Sequence, residues 1–172
     1  MNNSFETPTQ EQERYWQFMV ELTTHSYYLQ TYLLYYQSIG RRIECFLAIV
    51  SSSAIASWAI WKEQNFIWAF LIALSQVIGA IKHLLPFAQR EKLIRVTLPE
   101  LSKISSEVEL EYYKVANGLI SNQDIHNKTI EFKRKKSNVI SRLDENALPE
   151  KNDFMTKAEE KTKIYFDSYY GG

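Results

Sequence analysis

The chain has 172 residues, and its 20 basic and 20 acidic side chains cancel to a formal charge of zero. No global field then points to nucleic acid, so no direct nucleic-acid partner is expected. Five glycines, four prolines and a single cysteine argue for long helices, against an all-β fold, and against any internal disulfide.

Residues 1–9 read as a polar leader. Met1–Thr9 has neither a basic start nor an apolar stretch, so no cleaved signal peptide is expected. Pro8 and Thr9 mark a helix start. Residues 10–42 form an N-terminal helix, with Tyr15, Phe18, Met19, Leu22, Leu29, Tyr32, Leu33 and Tyr36 recurring at helical steps. Tyr27, Tyr28, Tyr32, Tyr35 and Tyr36 crowd its later half. Tyrosine tolerates both apolar and wet surroundings, so this half suits either the inner membrane surface or ordinary helix packing.

Residues 43–87 carry two uncharged runs, Cys45–Trp61 and Phe66–Ile81, separated by Lys62, Glu63, Gln64 and Asn65. A link this short allows only an antiparallel turn. Each run measures roughly 24–26 Å as a helix, against a hydrocarbon core of about 30 Å. Ile43 and Leu84–Phe87 extend them, so a two-transmembrane hairpin is predicted; the alternative is the buried centre of a soluble bundle. Phe66, Ile67, Phe70, Leu71, Ile72, Leu74, Val77, Ile78 and Ile81 favour insertion of the second run by roughly 3–5 kcal/mol. The first run, diluted by Ser51, Ser52, Ser53 and Ser57, needs its partner to insert.

Arg41 and Arg42 precede the hairpin and Lys82, Arg90, Lys92 and Arg95 follow it, whereas the turn holds Lys62 beside Glu63. The positive-inside rule then places both termini in the cytoplasm, in a multi-pass protein of the inner or plasma membrane. Trp58, Trp61 and Trp68 cluster near the turn, at the opposite boundary. Glu44 sits at the inner boundary, where a pair with Arg41 is expected.

Residues 88–143 read as a cytoplasmic helical region. Pro86 and Pro99 frame a segment that bends away from the membrane. A helical face follows from Pro99 through Leu101, Ile104, Val108, Tyr112, Val115 and Leu119. Gly118 and Ser121–Asp124 break it, and a second helix runs from Asn122 or Gln123 to Leu143. Residues 144–172 hold a linker, Asp144–Asp153, then a short amphipathic helix with Phe154, Met155, Ala158, Ile164 and Phe166. The tail Tyr169–Gly172 is expected to fray. The fold class is therefore all-α: a membrane helical hairpin with N-terminal and C-terminal cytoplasmic helices.

Inside the hairpin, Ala69, Ala73, Gln76, Ala80 and His83 share one side of the second helix, opposite Ile67, Leu71, Leu74, Ile78 and Ile81. Cys45, Ala48, Ser52, Ala56 and Ala59 form a similar stripe on the first. Small stripes let membrane helices approach closely. The pore or helix-packing candidates are thus Ser52, Ser53, Ser57, Ala69, Ala73, Gln76, Ala80 and His83, with Gln76 turned to protein or water and the isoleucine–leucine side to lipid. Two helices cannot enclose a channel, so a homo-oligomer is expected. The membrane-boundary charges are Arg41, Arg42, Glu44, Lys82, Arg90 and Lys92.

Other chemistry is thin. His25, His83 and His126 are scattered without metal-ligand spacing, and no phosphate loop or nucleophile elbow is present. No metal, cofactor or enzymatic activity is expected. Cys45 reads as a packed small residue, and Glu107, Glu109 and Glu111 as a solvated face. Lys133–Lys136 reads as a solvated basic patch, with contact to anionic headgroups or a phosphate-bearing signal as the alternative.

A cytoplasmic helix, a basic flank at Arg41–Arg42, a tight hairpin at Cys45–Ile81 and a helical tail resemble the SLATT family, the SMODS and SLOG-associating two-transmembrane effector domains of bacteria. The likeness spans Arg14 to Leu143 and rests on architecture and flanking charge. It implies a pore-forming effector of antiphage defence and abortive infection, triggered by a partner sensor protein or a nucleotide second messenger, with membrane lipids as its other partner. It carries over no catalytic residue. A non-conducting membrane anchor or assembly subunit is the alternative.

Overall fold

A computed structural model describes the backbone of residues 8–60, 65–81, 86–144 and 148–171, and their side chains except at 51–60, 65, 67–69, 81, 86–87 and 144. The described residues form five helices: α1 (Gln10–Ile60), α2 (Asn65–Ile81), α3 (Pro86–Ala116), α4 (Asn122–Asp144) and α5 (Asn152–Tyr170). No strand occurs among them, and the fold is all-α.

Local chemistry sets most helix ends. The Thr9 side chain accepts from the Gln12 amide while the Gln12 side chain accepts from the Thr9 amide, a reciprocal cap that starts α1. Ser121 caps α4 through the Asp124 amide and donates to the Asp124 carboxylate. At the end of α3, the Gly118 amide donates to Val115 and the Leu119 amide to Lys114. This closing motif needs a left-handed residue, and Gly118 supplies it with φ +62°.

The helices depart from the sequence reading in three places. α1 is continuous over 51 residues, so the predicted N-terminal helix and first apolar run are one element. α3 begins at Pro86, a favoured first helical position, and runs through Pro99 instead of starting there. Pro99 is exposed, and buried Ile94, Thr97 and Leu101 hold the helix on both sides of it. In the C-terminal tail, α5 extends to Tyr170 and the Gly171 amide donates to Phe166, while Gly172 lies outside the described residues.

The chain divides into two compact units, Met1–Tyr32 with Leu93–Gly172, and Leu33–Lys92. The first is a four-helix arrangement of α1, α3, α4 and α5. Its buried residues follow alternating three- and four-residue steps: Ile94, Thr97, Leu101, Ile104 and Val108 on α3, then Ile125, Thr129, Phe132, Lys136, Val139 and Leu143 on α4. That spacing is the seam of a helical bundle. Contacts give the directions. Gln12 reaches the Val115 carbonyl, so α1 and α3 are antiparallel. His126–Glu11 and Lys136–Glu21 share one sequence offset, so α1 and α4 are parallel. Thr24 meets Thr162 and Tyr32 packs on Phe154, so α1 and α5 are antiparallel.

The second unit holds α2 and parts of α1 and α3. α2 is wholly apolar or uncharged over its 17 residues. Its rise is about 25 Å, against about 30 Å for a hydrocarbon core. Among the described residues, no helix is long and apolar enough to cross a membrane.

Candidate functional site

The second unit leaves large apolar side chains outside. Phe66 is 84% exposed, Ile49 65%, Phe70 60% and Val77 55%. On α2 the inward side is formed by buried Ser75 with half-buried Leu71 and Ile78, and the Ser75 hydroxyl donates to the Ile72 carbonyl. Ala73, Gln76 and Ala80 are exposed. The side assigned to lipid from sequence thus supplies part of the covered face of the single chain. Composition marks which side is uniform, and only packing marks which side is inward. Cys45 and Ala48 of the first stripe are likewise exposed.

Arg41, Arg42, Glu44 and Lys92 are exposed and Arg90 is half-buried. Among the described residues Glu44 makes no ion pair, so the expected partnership with Arg41 is absent; both side chains are exposed. The side chains of Ser52, Ser53, Ser57, Trp58 and Ala69 lie outside the described side chains, as does that of Trp68. Trp61, Lys62, Glu63, Gln64, Lys82 and His83 lie outside the described residues.

In the first unit, charges read as solvated from sequence serve as interhelical contacts. Glu107 pairs with Lys135 at 3.2 Å and Glu111 with Lys128 at 2.8 Å, both from α3 to α4, while Lys114 adds a pair to Glu111 within α3 at 3.0 Å. The Lys128 and Lys114 ammonium groups beside it hold the Glu111 carboxyl below its usual range. Glu109 accepts from the hydroxyls of Tyr165 and Tyr170. Burial, then the hydrogen bond to that carboxylate, pushes both phenols up. Of the basic run, Lys133 and Arg134 are exposed, but Lys136 is buried against Glu21 at 2.5 Å. Burial raises the Glu21 carboxyl, and the Lys136 hydrogen bond and charge outweigh it, with a net shift downward. Opposite charges more than a hundred positions apart carry no local sequence signal, which is why the pairing escaped the sequence.

The tyrosine-rich stretch divides. Tyr32 is fully buried, packs edge-on against Phe154, and donates its hydroxyl to the Pro149 carbonyl. Tyr35 is exposed. Packing against α5 therefore accounts for Tyr32.

A cavity of about 460 Å³ opens in this unit among α1, the end of α4, and the segment leading into α5. Leu29, Ile140, Leu143, Leu148 and Met155 form apolar walls, with His25, Glu150 and Lys151 also lining it. The His25 Nδ1 is sealed from solvent, makes no hydrogen bond, and lies 3.9 Å from the Glu21 carboxylate. Burial, then the Lys136 charge, lowers the imidazole pKa, and Glu21 only partly opposes this. Neither His25 nor this cavity stood out in the sequence, because their partners are spread over three helices. Among the described residues no cluster of His, Cys, Asp or Glu could hold a metal ion. No family model, curated protein or solved structure matches the chain.

Proposed function

We propose that the protein is a membrane effector that oligomerises through its apolar hairpin and permeabilises or depolarises the cell membrane when triggered. The trigger would be a partner sensor protein or a nucleotide signal, as the resemblance to SLATT effectors suggests. One observation carries the reading: Phe66, Phe70, Val77 and Ile49 are more than half exposed in a unit whose α2 contains no charge. Phe66, Phe70 and Val77 share one face of α2 by helical spacing, and an apolar stripe left exposed marks a membrane or protein contact. A 17-residue span is short, and short spans are accommodated by local bilayer thinning or by oligomerisation. Exposed Ala73, Gln76 and Ala80 favour the second route, because a lipid-facing amide lacks partners whereas a neighbouring copy or a water-filled interior supplies them.

Membrane potential and viability after induced expression test this reading, with neighbouring genes present and absent. Wild-type protein should depolarise cells, and Gln76→Leu should reduce depolarisation while the protein still fractionates with membranes. A harmless membrane protein under both conditions identifies the alternative, a non-conducting anchor or assembly subunit holding a partner. Recovery of the full chain in the soluble fraction without detergent would reject both.

A further inference from the structure

The 460 Å³ cavity falls within the range of small-molecule sites, about 300–1,000 Å³. It lies wholly inside the α1–α3–α4–α5 unit, so a ligand held there goes beyond the membrane reading and does not depend on it. Its walls are mainly apolar, from Leu29, Ile140, Leu143, Leu148 and Met155, joined by Tyr28 and Asn152. The segment that closes it is pinned in place by the Tyr32 hydroxyl bonded to the Pro149 carbonyl. The site is therefore held by a buried side chain and not by an untethered loop.

The polar groups select the ligand. Glu150 and Lys151 line it with one negative and one positive charge, so the lining carries no net formal charge. Beside the Tyr28 hydroxyl and the Asn152 amide, His25 offers the directional contact that a buried ring fixes in place. Its sealed Nδ1 faces the Glu21 carboxylate at 3.9 Å, which favours a proton on that nitrogen. Nε2 is the nitrogen left as an acceptor; it is not sealed and has no hydrogen-bond partner. We propose that this cavity binds a small neutral molecule with an apolar or aromatic body and one hydroxyl group, which donates to His25 Nε2. Burial of the imidazole beside Lys136 keeps it uncharged and able to accept.

The test is calorimetric titration of the full chain in lipid nanodiscs with 4-propylphenol, 4-propylanisole and 4-propylbenzoate. The phenol should bind saturably, and the ether, which lacks the donor, at least tenfold more weakly, equivalent to about 1.4 kcal/mol. His25→Phe should bind phenol and ether alike, at the weaker level. Met155→Trp should fill the cavity and lower phenol affinity at least tenfold. Leu148→Trp, outside any helix, repeats that measurement if Met155→Trp does not fold, as judged by helical circular dichroism. Equal binding of phenol and ether to the wild type overturns the proposal, as does tighter binding of the benzoate. So does phenol binding that survives both cavity-filling variants, or no saturable phenol binding up to its solubility limit.

Discussion

Removing the two partners of the Glu21–Lys136 pair should have unequal consequences, because the partners are unequally buried. The Lys136 side chain is 10% exposed and that of Glu21 is 54% exposed. Glu21→Gln strands an ammonium among Phe18 and the α1–α4 seam, where its nearest ring centroid is 5.9 Å away. Breaking a fully buried pair costs about 3–5 kcal/mol. Half-exposure of the carboxylate screens the pair, so about 2–3 kcal/mol is expected. Lys136→Met keeps the aliphatic stem and leaves a carboxylate that water can reach; its expected cost is below about 1 kcal/mol. In the double variant the buried charge is gone, so its cost should match Lys136→Met, giving a coupling of about 2–3 kcal/mol. Urea unfolding of the full chain in mild detergent reads these costs through Trp16, which packs 5.0 Å from Phe166. Trp58, Trp61 and Trp68 are replaced by Phe so that only this unit reports. If Lys136→Met proves as costly as Glu21→Gln, the charge is not confined as argued and the reasoning fails.

Pro99→Ala should raise the unfolding midpoint by the equivalent of about 1–3 kcal/mol, since it restores an amide to an exposed helix interior. An unchanged or lower midpoint would mean that α3 gains from the proline. Acid should weaken the four-helix unit. The folded pKa of His25 lies below its usual 6.5 and that of Glu21 below its usual 4.5, so the unfolded chain takes up each proton first. Their stability contributions are complete above those values and are lost as pH falls through the lower folded ones. Glu21 and Lys136 face His25, and Glu150 and Lys151 line its cavity; His25→Gln should flatten the first phase of loss, and a wild type insensitive between about pH 6.5 and pH 5 would contradict the burial argument. A cysteine placed at position 64 in a Cys45→Ala background should react with an impermeant maleimide from outside the cell, given the charge asymmetry. Exposed Cys45 must be removed because it would label independently, and reaction at 64 from the cytoplasmic face alone refutes the orientation.

Periodicity by itself determined the helices of this protein. The α1 residues Tyr15, Phe18, Met19 and Leu22, and the α3 residues Leu101, Ile104, Val108 and Val115, repeat at the spacing of a helical face, and all are buried. Capping residues Thr9, Gly118 and Ser121 likewise act through neighbours three to five positions away, so their effect is local and readable. What lies between helices was not readable. Glu107, Glu109, Glu111 and Lys136 look like solvent-facing charge until α1, α4 and α5 bring their partners across. Pro99 punctuates a sequence, yet a helix tolerates it where flanking residues are buried and the proline itself is exposed. The two sides of α2 differ in composition, but composition cannot say which one the rest of the chain covers; packing against Leu71, Ser75 and Ile78 decided that. The His25 cavity is the extreme case. It exists only where three helices and a tyrosine-pinned segment fail to fill the space between them, and an unfilled volume is a property of packing that no single stretch of sequence contains.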